Sequence, residues 1–244
     1  ISFNNISNIT AADVISAIVV GNGFNGTLLT ITGNSITGLT STGGTITGIS
    51  GGSSLVTNTN VSKNEIGAFQ SAATGVTVGL TMTTTQTANY FRNKIYDISG
   101  TNAGSLVYGM QIGAPATFTS TIYNNLIGDI KAPNATVDNA VVGLKLTSAA
   151  AISTYNVYYN TVYLAAVSTG TNFGSSAFFC VASGTPTSGS LTLRNNILIN
   201  NSTANGTGLT VAFGRNSNSL NNYTTASNNN IFYAGTPSAS NLIF

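Results

Sequence analysis

The chain holds few residues that can carry chemistry, and most of those are acidic or phenolic. Its carboxylates are Asp13, Glu65, Asp97, Asp129 and Asp138, and it has no His. Asp97 and Asp129 stand alike, each four residues after an Asn (Asn93 and Asn125). If those asparagines occupy equivalent places on adjacent layers, the two carboxylates meet about 5 Å apart, one interstrand spacing. Carboxylates that close share a proton, bind a cation such as Ca2+, or lie in solvent beside a neutralising Arg92, Lys94 or Lys131. Tyr155, Tyr158, Tyr159 and Tyr163 form a second cluster. On a strand, alternate members of such a run face outward, where phenol rings can contact carbohydrate, while inward members fill a core. Lys63, Arg92 and Arg194 stand beside asparagines of the same kind and read as exposed charges or as a site for phosphate or a sugar acid. Cys180 lies in the apolar run 177–181 and reads as core packing.

Composition removes many functions. Thr, Ser, Asn and Gly make up half of the 244 residues, and charged residues only 5%, against about 25% in an ordinary soluble domain. Four Lys and three Arg are too few for a nucleic-acid footprint. Without His, neither a His-containing zinc site nor a Ser-His-Asp or Cys-His nucleophile can form. One Cys makes no internal disulfide. Hydrophobic residues reach 42%, too many for a disordered polar tract. No apolar run is long enough for a membrane-spanning helix. Thr, Val, Ile, Asn and Gly dominate where helix formers would be needed, so the class is all-β.

The elements that would position these residues follow from an internal repeat. Asn, any residue, then a large apolar residue recurs at Asn4, Asn34, Asn64, Asn93, Asn125, Asn160, Asn195 and Asn229. A second marker keeps the same period: a small residue followed by apolar ones at Ala17, Gly48, Gly79, Gly109, Gly143, Ala177 and Gly208. A third apolar position lies three before the Asn, at Ile31, Val61, Tyr90, Ile122 and Val157, and fails at Thr192. Each period of about 32 residues therefore holds three short strands, the content of one coil of a parallel β-helix. A β-sandwich would not hold an Asn in phase eight times. The expected fold is one domain over 1–244, a right-handed parallel β-helix of about eight three-stranded coils. Its corner asparagines form a buried ladder, each amide bonding the next coil. In the first five coils the apolar residues after the Asn fall at +2 and +5, which implies a bulge. In the last three they fall at +2 and +4, plain alternation.

Residues 155–244 carry a resemblance. The stretches Tyr158-Tyr159-Asn160-Thr161-Val162-Tyr163-Leu164, Arg194-Asn195-Asn196-Ile197 and Asn228-Asn229-Asn230-Ile231-Phe232-Tyr233 resemble very large secreted right-handed β-helix proteins of Bacteroidetes. Those are cell-surface proteins commonly exported by the type IX system. The resemblance implies secretion and surface attachment, and no established activity. Parallel β-helix pectate lyases and polygalacturonases also place acidic residues as Asp97 and Asp129 are placed, but with further acids that this chain lacks.

The expected function is non-catalytic: a rigid spacer, filament segment or adhesive surface-contact module of an extracellular protein. A polysaccharide-degrading or polysaccharide-binding β-helix is the alternative. No cofactor is expected beyond a Ca2+ ion at Asp97 and Asp129. The chain begins at Ile1 with no Met, and reads as a segment of a longer polypeptide. Neighbouring coils of that polypeptide, or other subunits, are the expected partners at both ends, with polysaccharide as a further one.

Overall fold

A computed structural model describes residues 1–21, 23–52, 55–83, 86–113, 117–147, 153–181 and 189–244. Among them there are 22 strands and no helix, wound into a parallel β-solenoid of about seven turns. The first coil holds β1 (Asn5–Ala11), β2 (Ile15–Val20) and β3 (Gly26–Thr32), one in each of three sheets. The first sheet continues through β4 (Ser35–Ser41), β7 (Glu65–Ser71), β10 (Lys94–Gly100), β13 (Leu126–Lys131), β16 (Thr161–Leu164), β19 (Ile197–Asn200) and β21 (Ile231–Tyr233). The second runs through β5 (Ile46–Gly51), β8 (Gly75–Thr83), β11 (Ser105–Gly113), β14 (Val141–Leu146), β17 (Ser175–Cys180), β20 (Thr210–Arg215) and β22 (Asn241–Leu242). The third adds β6 (Val56–Ser62), β9 (Thr87–Phe91), β12 (Phe118–Tyr123), β15 (Ser153–Tyr158) and β18 (Ser190–Arg194).

A left-handed residue makes the corner between third and first sheets. Phe3, Gly33, Lys63, Arg92, Asn124, Tyr159, Asn195 and Asn229 all sit there, with φ between 54° and 68°. Only Gly33 is a glycine; for Phe3, Lys63, Arg92 and Tyr159 that conformation costs about 1–2 kcal/mol, and for the three asparagines less. The residue that follows offsets it. The backbone N–H and the side-chain Nδ2 of Asn93 both donate to Oδ1 of Asn125 at 3.0 Å. Asn125 does the same to Asn160 at 3.1 and 2.9 Å. Its second amide hydrogen reaches back to the carbonyl of Tyr90 at 2.9 Å. The same donation to the next Oδ1 links Asn4, Asn34, Asn64, Asn93, Asn125, Asn160, Asn196 and Asn230. Eight rungs thus bound seven turns.

The last two rungs correct the sequence reading. Asn195 and Asn229 are the left-handed corner residues, and the ladder passes through their neighbours Asn196 and Asn230. Asn tolerates the left-handed region better than most residues, so either of two adjacent asparagines could be taken for the rung. With this register Leu193, fully buried, takes the place three before the rung that Thr192 could not fill. Leu198 turns inward and Ile197 outward. The small-residue column also ends at Ala212, opposite Ala177, rather than at Gly208.

Stacked positions fill the core. Ile36, Ile66, Ile95, Ile127, Val162 and Leu198 form one column, all fully buried. It presses on the small-residue column of the second sheet. A Cβ added at Gly79, Gly109 or Gly143 would lie 2.7, 2.5 or 2.3 Å from Ile95, Ile127 or Val162 respectively. The glycines are therefore fixed by close approach of two sheets. The expected bulge is present in the first five coils: Asn8, Gly38, Ala68, Asp97 and Asp129, each four after a rung, have φ between 52° and 70°. After Asn160 no left-handed residue follows the rung in β16 or β19, and Val162 and Leu164 alternate inward.

Asn125→Ala removes bonds on both sides of one rung: the Asn93 backbone and side-chain donors lose the Oδ1 they share, and the bonds from Nδ2 to Asn160 and to the Tyr90 carbonyl go with it. The expected loss is at least about 2 kcal/mol, read as a lower urea midpoint. Alanine at the exposed Asn201 should leave the midpoint unchanged.

Candidate functional site

Seven of the chain's twelve charged residues gather on the outer face of the first sheet and its corner: Lys63, Glu65, Arg92, Lys94, Asp97, Asp129 and Lys131. Two groups form there. Glu65 accepts hydrogen bonds from Lys94 Nζ at 2.9 Å and from Tyr96 Oη at 3.0 Å. These bonds, Lys94's first, hold the Glu65 carboxyl below the usual carboxylate range. The bond to Glu65 likewise raises Lys94, while burial and then Glu65 raise the Tyr96 phenol. Lys94 Nζ also stands 4.3 Å from the centre of the Tyr96 ring.

One coil on, Lys131 Nζ donates to Asp97 Oδ1 and to Asp129 Oδ2, both at 2.9 Å. Burial lowers the Lys131 ammonium, but its two carboxylate bonds outweigh that and leave it raised. The bulge explains the arrangement, because Asp97 and Asp129 occupy the same left-handed position on adjacent coils. Of the neutralising residues Arg92, Lys94 and Lys131, it is Lys131 whose ammonium bridges the pair. Among the described residues no three His, Cys, Asp or Glu side chains come together as a metal site.

The tyrosine cluster divides. Tyr155 is 2% exposed and packs edge-on against Phe118 at 4.8 Å. It is a core residue and cannot contact carbohydrate, a correction that follows from its inward place on β15. Tyr158 is half-buried, donates to Asn156 Oδ1 at 3.0 Å and pairs with Tyr123. Tyr123 in turn stacks on Phe91 at 4.9 Å. Tyr159 projects from the corner and Tyr163 from the first sheet, 59% and 46% exposed. The three surface tyrosines thus lie on the third sheet, the corner and the first sheet in turn. Beside Tyr163 a cleft of about 280 Å³ opens, lined also by Asp129, Ile130, Lys131 and Ala165. A larger hollow of about 670 Å³ lies on the first coil, between Val19, Phe24 and Leu28.

No family model, curated protein or solved structure matches this chain. The architecture itself is plain: a parallel β-solenoid of stacked repeats.

The remaining candidates are structural. Cys180 is buried, and burial pushes its thiol up to about 12. Arg194 bonds the carbonyl of Ala226 through Nε at 2.8 Å. Arg215 stacks on Cys180 and donates through Nη2 to the Ser219 carbonyl and Asn222 Oδ1. Sequence reasoning passed over Tyr96 and the Tyr163 cleft. The alternation of Tyr96 with Lys94 on one strand face would have signalled the first; only the change in bulge pattern between coils signals the second.

Iodoacetamide at pH 8 should leave Cys180 unmodified in the folded protein and label it after denaturation, as mass spectrometry would read. Folding holds Glu65 below its ordinary 4.5, so its pair stabilises the protein above the ordinary carboxylate range. That contribution fades as pH falls through the lowered value. Glu65→Gln should therefore narrow the difference in melting temperature between pH 6 and pH 3, by a small amount for so exposed a pair.

Proposed function

We propose that this solenoid is a non-catalytic structural and adhesive segment of a secreted or cell-surface protein, a rigid stack that holds one decorated face toward a polysaccharide or another surface. The observation that carries the reading is the unbroken ladder of eight asparagines through a continuous apolar core. Each coil is tied to the next at a buried corner, and loops can vary outside without disturbing it. The stacked coils span about 35 Å at the interstrand spacing. The likeness of residues 155–244 to Bacteroidetes surface proteins supports an extracellular setting, with type IX export as the route proposed.

Partners at both ends fit the same reading. The first two sheets run from the edge strands β1 and β2 at one end to the edge strands β21 and β22 at the other. Neighbouring coils, of the same polypeptide or of another subunit, are the proposed cover for those edges.

A lyase or hydrolase is the competing reading, and the Asp97–Asp129 pair is its motive. Lys131 bridges that pair, which suits a fixed polar contact better than proton transfer. Incubation with a polysaccharide panel should release neither reducing ends nor unsaturated uronates above the buffer control. Release that disappears in the Asp97→Asn, Asp129→Asn double variant would replace the structural reading with the enzymatic one.

A further inference from the structure

We infer that the cleft between β13 and β16 is a binding site for one neutral hexose residue of a glycan; this rests on the adhesive reading and gives it a location. The cleft exists because two coil shapes meet there. Strands β10 and β13 both bulge, and they pair over five positions, out to Ser99 and Lys131. Strands β13 and β16 pair over only three, the last being Gly128 with Tyr163. Beyond that point β13 swings through the left-handed Asp129, while β16 runs straight on to Leu164. The strands part, and the opening of about 280 Å³ lies between Asp129–Lys131 on one side and Tyr163 with Ala165 on the other. It stands at the lower end of ligand-site volumes and suits a monosaccharide better than a larger group.

Its lining has the chemistry a sugar needs. The exposed Tyr163 ring offers an aromatic face for the C–H side of a pyranose. In that lining Lys131 and Asp129 are each about half exposed, and Lys131 also bonds Asp97 on the neighbouring coil; these bonds occupy only Asp97 Oδ1, Asp129 Oδ2 and two ammonium hydrogens. The second Asp129 oxygen and the third ammonium hydrogen remain for hydroxyl groups, held in fixed positions by the bridge. Two carboxylates against one ammonium leave a negative balance, which disfavours uronates and phosphates. The backbone beside the cleft is also bare. At the equivalent Gly67 the Tyr96 ring covers the strand, with ring atoms 3.1 Å from a would-be Cβ, whereas at Gly128 only the Tyr163 carbonyl oxygen comes within 4 Å.

Titration calorimetry of the full chain with hexasaccharides of glucose, galactose and mannose, and with oligogalacturonate as the charged control, tests the assignment. At least one neutral hexasaccharide should bind, and more tightly than the uronate. Tyr163→Ala should weaken it at least about tenfold. Asp129→Asn, which keeps the left-handed backbone, should weaken it as well. Tyr233→Ala, on the same outward column two coils away and 45% exposed, should not. Unchanged melting curves for the variants would show that folding is intact. Preference for the uronate, equal losses in Tyr163→Ala and Tyr233→Ala, or no loss in Tyr163→Ala overturns the assignment. If no hexasaccharide binds while the chain still adheres to a polysaccharide-coated surface, the cleft assignment falls and the adhesive reading stands.

Discussion

The corner amide is the interaction on which this structure depends. A coil of 30 or so residues buries too little apolar surface to hold its own shape, so it must be registered on its neighbours. Backbone pairing alone does not fix that register in strands rich in Thr, Ser and Gly, where a slip of one residue is weakly opposed. The Asn rung fixes it. Its side chain accepts two hydrogen bonds from one coil and donates to the next, and its second hydrogen returns to a carbonyl three residues before the preceding rung. A residue that lacked either the acceptor or the donors would leave buried backbone groups unpaired. This explains why a chain so poor in charge and so rich in small polar residues folds around a buried polar column.

Shape change along the stack has a local origin. One left-handed residue after each rung bends the first-sheet strand in five coils. Its loss after Asn160 coincides with repeats lengthened from about 30 to about 35 residues. The rung before it and the inward residue two after it keep their places across the change. The cost falls on the outer face, where pairing is cut short beside Gly128 and Tyr163. A solenoid can in this way acquire a concavity without an inserted loop, by altering one backbone conformation in one repeat.

Much of this was legible in the amino-acid sequence, and the failures have distinct causes. Period, class, ladder and bulge all follow from positions where only one residue type fits. The register of the last coils does not, because Asn195-Asn196 and Asn228-Asn229-Asn230 offer several candidates for one rung. The missing apolar residue at Thr192 was the available sign, since moving the rung to Asn196 puts Leu193 in its place. Tyr155 has a different cause: it lies two before Val157, the inward position of its coil, and so shares that buried face, which the clustering of phenol rings in the sequence masks. The Asp97–Asp129 pair was placed correctly by spacing, yet its partner could not be chosen among Arg92, Lys94 and Lys131, because side-chain reach across a bulge is not encoded in a spacing.

The ladder has one further property. The bonds from rung to rung all run in the same sense, from the coil nearer Ile1 to the one nearer Phe244. Side-chain amide dipoles arranged head to tail do not cancel, and each polarises the next. The row therefore acts as a macrodipole lying along the solenoid axis. Its carbonyl end is at Asn4 and its N–H end at Asn230, so the negative pole lies toward the N-terminus, the reverse of an α-helix. Growth of such a stack is vectorial: a coil joins it only with its own amide pointing the same way.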